Sequence, residues 1–340
     1  MVSCTFKKYF FMILKLAVAG VLLWYVGKDL DYGSLKKLSP EGICTGFICS
    51  MVLILLQITL SALRWQMLLR GQLLRLSFLK VLSLTFQGSM FSLFMPGGSV
   101  GGDVIKGAVL AREAEKGNAL EGVTTIFLDR LIGMLGLFSL AGIIALWSLP
   151  LIGKFPPGIR YTAYLLAICC SGGVFAGIVI LFHTVIFRIR IFAWILQKAD
   201  SVTRGGCSRI LHSVEIFRKD RATLWKTFFL TLLILHPLLI FCNILILCSI
   251  QGEIRPDFFQ GTALASALGN VASVAPVSPG GLGTRDKVTE VILRSSGLSP
   301  ENSALVPLFY SCVYVTASLL GGLFFFLWDA LRKLRSPEKR

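Results

Sequence analysis

FMPGGSVGGD, residues 94–103, breaks an apolar run that begins at Phe78, and it does so with a proline, four glycines and an aspartate. Proline ends an incoming helix because it lacks an N–H and its ring clashes with the preceding turn. Glycine tolerates positive φ and lets another backbone or a ligand approach closely. The helix that restarts after the break presents unpaired N–H groups and the positive end of its dipole, which suits an anion such as phosphate. A second stretch repeats the pattern. SPGGLGTRDKVTE at 278–290 shares with MPGGSVGGDVIKG at 95–107 the PGG, a further glycine and an acidic residue entering a helix. A tight turn between short helices accounts for either stretch alone, whereas two matching breaks favour paired parts of one site.

The surrounding chain is that of a membrane protein. Of its 340 residues 55% are hydrophobic and only 15% charged, and its mean hydropathy is +0.75. Apolar windows long enough to cross a hydrocarbon core of roughly 30 Å recur throughout. Full spans are expected at 9–26, 43–63, 120–147, 161–186, 227–250 and 305–331. Two further stretches, 78–95 and 259–275, each run into a PGG cluster and then a short amphipathic helix. The first span follows Lys7 and Lys8 without a small-x-small cleavage site, so it reads as a retained anchor. Nine cysteines without CxxC spacing and three scattered histidines, His183, His212 and His236, give no expectation of a metal site, a disulfide framework or a cofactor.

A net charge of +16 raises nucleic acid as a partner, but the basic residues sit in loops between spans, where the cytoplasmic excess of Lys and Arg accounts for them. If both interrupted stretches are re-entrant hairpins, six full crossings place both termini in the cytoplasm. Most of the 34 Lys and Arg residues then fall on the inner face. A full crossing by the first stretch would instead export the strongly basic loop 187–226. The expected architecture is an all-α polytopic membrane protein, about six spans plus two re-entrant helical hairpins in a single transmembrane domain, 1–340. Two spans, a hairpin and a span make up 1–155, and 156–340 repeats that order inverted. Interrupted helices in inverted repeats are the strongest sequence pointer to a transporter's binding site.

The two PGG motifs, with LDRLIGMLGL at 128–137 between them, resemble the membrane region of lysylphosphatidylglycerol synthases, which also occurs alone in flippase-like membrane proteins. The resemblance covers nearly the whole chain. Lys106 stands where an arginine commonly follows the GD pair, and Asp129 and Asp286 replace a more usual glutamate. In multi-domain relatives this region is held to move aminoacylated phospholipid between leaflets while a soluble domain makes it. The chain ends at Arg340 without such a domain, so the resemblance implies no lysyl transfer by this polypeptide. It implies a lipid translocase in the cytoplasmic membrane. Its partners would be a membrane phospholipid or polyprenyl-phosphate lipid, and a second copy or a separately encoded lipid-modifying enzyme. A secondary transporter of a small solute and an accessory component of a lipid- or glycan-modifying pathway are the alternatives.

The candidate substrate-binding residues are Gly97, Gly98, Gly101, Gly102, Asp103 and Lys106 in the first hairpin, Asp129 and Arg130 in the following span, and Gly280, Gly281, Gly283, Arg285, Asp286 and Glu290 in the second hairpin. Ionisable residues at membrane depth are costly and functional by default. Asp129 and Arg130 are neighbours in sequence and point about 100° apart on a helix, so each needs its own partner. Arg130 is expected to meet a lipid phosphate or a hairpin carboxylate, and Asp129 a cation such as Lys106 or Arg285, with a purely structural ion-pair network as the competing reading. Counted from the PGG prolines, Asp129 corresponds to Cys312, so the charge is not symmetric. Asp103 and Lys106 share a helical face. Asp286 and Glu290 form an acidic face that would bind a cationic head group or a proton, with a solvated helix end the other reading for Glu290. His236 before Pro237 reads as a kink rather than a proton relay.

Overall fold

The computed structural model describes residues 39–71, 74, 76–94, 99–113, 119–181, 201, 220–252, 256–275, 278 and 281–335. Its secondary structure over these residues is helical. We label the helices α1 (Pro40–Gly71), α2 (Phe78–Phe94), α3 (Ser99–Glu113), α4 (Ala119–Trp147), α5 (Pro157–Leu181), α6 (Arg221–Gln251), α7 (Phe259–Ala272), α8 (Thr284–Ser295) and α9 (Pro300–Arg335). Among the described residues α1, α4, α5, α6 and α9 are long and apolar enough to cross a membrane. They coincide with the spans expected from residue 43 onward. The expected span at 9–26 lies outside the described residues, as does most of the basic loop 187–226.

Two boundaries differ from the expected ones, and each for a local reason. α1 continues past residue 63 to Gly71, because Arg64 is followed by the strong helix formers Gln66, Met67, Leu68 and Leu69 and no breaker occurs before Gly71. α6 already begins at Arg221, inside the expected loop, where the Asp220 side chain accepts the Thr223 amide at 3.1 Å and caps the helix.

Each helix turns a small or apolar face inward and an apolar face outward. On α1 the buried positions Gly46, Ser50, Ile54, Ile58, Ala62, Trp65 and Leu69 recur at helical spacing, while Ile48, Val52, Leu56 and Leu63 lie exposed between them. Exposed aromatic residues mark the two ends of the bundle, Trp147 and Tyr161 at one and Trp225 and Trp328 at the other, as expected of side chains at a membrane–water interface.

Lipid tails are as apolar as leucine, so association within a membrane depends on close packing. α1 and α6 run antiparallel, and a Cβ on Gly46 would stand 2.2 Å from the Ser249 Oγ. α2 folds back onto α3 with a Cβ at Gly102 only 2.1 Å from the Gly88 carbonyl oxygen. α7 folds back onto α8 in the same manner, with Gly269 against Thr289. Each of these helix pairs also leans on a long span, α2 on α9 and α7 on α4. The α2–α9 contact is polar at one end, where Asp329 accepts from Ser83 at 2.8 Å and Gln87 at 3.0 Å.

The contact at Gly102 is with backbone, which cannot swing aside as a side chain can. Gly102→Ala is expected to lose about 1–3 kcal/mol, the usual cost of overpacking. Gly142→Ala, on the same bundle with nothing within 4 Å of the new methyl group, is expected to be neutral or slightly stabilising through helix propensity. Thermal unfolding of both variants in detergent micelles checks the pair.

Candidate functional site

Five charged side chains converge between α1, α3 and α4. Arg64 of α1 meets Asp129 of α4 in a two-pronged contact, Nε to Oδ1 at 2.8 Å and Nη2 to Oδ2 at 3.0 Å, the geometry that makes arginine–carboxylate pairs strong. Its Nη1 also donates to the Thr231 hydroxyl of α6 at 3.0 Å. Gly133, one turn beyond Asp129, leaves room for the guanidinium, whose nitrogens lie 3.4 Å from where its Cβ would be.

Beside this pair, the Arg130 Nε donates to the Asp103 carboxylate of α3. The Lys106 ammonium lies 3.9 Å from the other Asp103 oxygen and 4.8 Å from the centre of the Trp65 ring. Trp65 is itself held by a hydrogen bond from Nε1 to Thr125 at 3.1 Å. Three cations therefore face two carboxylates. The Arg130 side chain is 35% exposed, against 10% for Arg64, so Arg130 is the member of the cluster closest to its surface.

The second hairpin gathers its charges separately. Asp286 is fully buried and accepts from Ser311 at 2.8 Å, from the Gly283 amide at 2.9 Å and from Arg285 Nε at 3.1 Å. Gly281 and Gly283 both adopt positive φ, 75° and 85°, which turns the Gly283 N–H toward the carboxylate. The anion at the N-terminus of α8 is thus the chain's own Asp286. Arg285 lies 4.4 Å from the Tyr310 ring centre and 5.7 Å from that of Tyr314, and it donates to Ser311. One turn along α8, Glu290 is paired with Lys287.

Several expectations are met in place and others are corrected. Arg130 reaches a hairpin carboxylate, and Asp103 and Lys106 face one another. Asp129 pairs directly with Arg64, with Lys106 close enough to feel its charge, because α1 runs on past its apolar window and delivers the arginine. Arg285 belongs to the other cluster. Asp286 and Glu290 do not form an open acidic face, since each is neutralised by a basic neighbour, and Glu290 is buried rather than solvated. Gly101 and Gly102 are both buried, and Gly102 packs against Gly88 of α2. Gly97, Gly98 and Gly280 lie outside the described residues. Thr231, Trp65, Ser311, Tyr310 and Tyr314 escaped the sequence reading because single polar or aromatic residues in apolar helices carry no motif. His236 follows a π-helical turn, Thr231–Leu235, a known source of helix distortion.

The two clusters lie at different levels. Thr231 is about 9 Å along α6 from Trp225, and Asp129 about 27 Å along α4 from Trp147. Ser311 is about 26 Å along α9 from Trp328. The Arg64–Asp129 cluster is therefore nearer the Trp225 end, and the Arg285–Asp286 cluster nearer the Trp147 end.

Long apolar helices carrying buried, paired charges define a multi-pass integral membrane protein. Residues 12–322 match the family described as the lysylphosphatidylglycerol synthase TM region, and the chain belongs to that family, a membrane family with a lipid-related name. It is also 22% identical to a UPF0104 membrane protein of Pyrococcus horikoshii, over 93% of this chain and 96% of that protein.

Removing one member of a buried ion pair strands the other. Arg64→Leu and Asp129→Leu are each expected to cost about 3–5 kcal/mol, and the double variant much less than their sum, because a matched apolar replacement leaves no orphaned charge. A double-mutant cycle by thermal or denaturant unfolding measures the coupling.

Proposed function

We propose that the protein moves a phosphate-bearing lipid between leaflets, with the head group entering the polar cluster between α1, α3, α4 and α6 while the tails stay in the bilayer. The observation that carries this reading is the cluster itself: three cations against two carboxylates, with Arg130 at its exposed edge. Holding that many charges at membrane depth costs several kcal/mol even when they are paired, and such charges by default mark substrate or ion pathways. A phosphate diester carries one negative charge, and arginine offers it a planar fork of donors.

In this reading α2–α3 and α7–α8 are re-entrant hairpins open to opposite faces, the halves 1–155 and 156–340 are inverted repeats, and both termini are cytoplasmic. Rocking of one half against the other exposes the head group alternately, as in other transporters built from inverted repeats. The membrane is the cytoplasmic membrane and the protein performs no group transfer itself. Cargo is an aminoacylated phospholipid, another anionic phospholipid or a polyprenyl-linked glycan. The family membership supports a lipid over the small soluble solute of a secondary transporter, and it equally accommodates an accessory component of a lipid- or glycan-modifying pathway.

Purified protein reconstituted into vesicles is expected to speed the movement of fluorescent phosphatidylglycerol or polyprenyl phosphate to the opposite leaflet, read by quenching from outside. The Asp103→Ala, Arg130→Ala double variant is expected to lose at least about tenfold in rate, the equivalent of one charge-assisted contact. Vesicles in which neither lipid moves faster than in protein-free controls remove the translocase reading for those lipids. A double variant that retains full transport removes the site.

A further inference from the structure

His236 lies at the middle of α6, about 22 Å along the helix from either Arg221 or Gln251, a depth at which an ionisable side chain marks a functional position by default. Its Nε2 is 3.0 Å from the Gly133 carbonyl of α4. A carbonyl only accepts, so Nε2 carries the hydrogen and Nδ1 is a bare acceptor. That Nδ1 is sealed from solvent and has no hydrogen-bond partner among the described residues, a condition that in a native interior calls for a physical reason.

A proton supplies that reason. It converts Nδ1 into a donor, and the acceptor it needs has to be brought to it, since no partner stands within hydrogen-bond distance of Nδ1 among the described residues. The turn Thr231–Leu235 is π-helical, and Pro237 brings no N–H, so a carbonyl of that wide turn has lost its helical donor. Once the ring shifts toward that turn, the imidazolium donates on both sides, to Gly133 of α4 and to the freed carbonyl of α6.

The neighbouring charges determine the consequence. On α1, Arg64 lies against the same Gly133 and donates to Thr231 in that π-turn. On α4, Asp129 holds the other edge of the guanidinium, and Arg130 is turned toward Asp103. α7 carries no titratable side chain. On α9, Tyr310 and Tyr314 stack on Arg285 in the other cluster, and Asp329 holds α2. A positive charge on His236 therefore faces Arg64 across one glycine. Repulsion between the two charges favours withdrawal of Arg64 from Thr231, so protonation and the arrangement of Arg64, Asp129 and Thr231 are linked.

We propose that His236 is a proton-binding site whose occupation rearranges the Arg64–Asp129 pair and so couples head-group movement to a proton gradient. The coupling rests on the translocase reading above, whereas the proton site does not.

Two measurements test it on the full-length protein. In vesicles of phosphatidylcholine containing fluorescent phosphatidylglycerol, a gradient of about one pH unit is expected to shift the steady distribution of the probe between leaflets by up to about tenfold if one proton accompanies each lipid. His236→Gln, whose amide keeps a donor for Gly133, is expected to leave the distribution even. Probe that equilibrates regardless of the gradient, or that responds equally in His236→Gln, overturns the coupling while leaving the translocase reading intact. Probe that does not move at all removes that reading and the coupling with it. The proton site is then decided by NMR of ring-labelled histidine in lipid nanodiscs, with His236→Gln assigning the resonance. A change from the Nε2–H tautomer to imidazolium within the folded range, at higher pH in Arg64→Gln than in the parent, sustains it. A ring that stays neutral until the protein unfolds overturns it.

Discussion

The contact between Arg64 and Asp129 is the constraint around which this bundle is arranged. A guanidinium inside hydrocarbon has to carry its counter-charge and its hydrogen-bond acceptors with it. Here it does so by drawing α1, α4 and α6 together at one level, with Asp129 supplying both oxygens and Thr231 a third acceptor. The helices could not close around so large a planar group if the wall opposite it carried side chains. Gly133 and Gly136 of α4 provide that wall, the first against the guanidinium and the second against Thr231. Removing either the charge pair or the glycines would separate the same three helices, which is why an ion pair and two small residues one turn apart act as one device.

The remainder of the bundle meets a related demand, imposed by backbone rather than side chains. An interrupted helix exposes N–H and C=O groups that lipid cannot satisfy, so each break must be covered by protein or line a wet cavity. α2–α3 and α7–α8 meet it by folding back on themselves through glycine contacts and by leaning on α9 and α4 respectively. The polar grip of Asp329 on Ser83 and Gln87 fixes α2 against α9. Polar residues thus hold the interrupted helices in place at the points where apolar packing has no preferred position.

The sequence made the long spans legible because a membrane-crossing helix needs a continuous apolar window and nothing else competes with that signal. It made the Arg130–Asp103 contact legible for a similar reason, since an isolated charge at depth must find an opposite one, and the PGG motif placed Asp103 nearby. Arg64 was not legible as part of the site. It stands at the end of an apolar window, where a cation reads as a loop residue, and only the continued run of helix formers to Gly71 hints that α1 carries it inward. Asp286 and Glu290 were misread as an acidic face because spacing on one helix says nothing of how closely a neighbouring Arg285 or Lys287 will fold over them. Side-chain pairing across helices, such as Ser311 to Asp286 over 25 residues of chain, is set by tertiary packing and leaves no trace in local pattern.

Asp103 and Asp286 stand at the same distance after their PGG prolines, yet they do opposite things, and helix start points explain why. α8 begins at Thr284, two residues before Asp286, so that carboxylate lies within reach of the helix N-terminus and folds back onto the Gly283 amide. α3 begins at Ser99, four residues before Asp103, which carries the carboxylate into the second turn and away from the free N–H groups. It must find its donors elsewhere, and it finds them on Arg130 of the neighbouring span and on Lys106. The residue before each acid reinforces the difference: Arg285 supplies Asp286 with a local cation, whereas Gly102 supplies Asp103 with none and instead draws α2 close. The same motif therefore builds a sealed cap in one hairpin and an ion pair between helices in the other. Only the second kind can be exchanged for another partner without unwinding a helix end, which supports the proposed site beside α3 and α4.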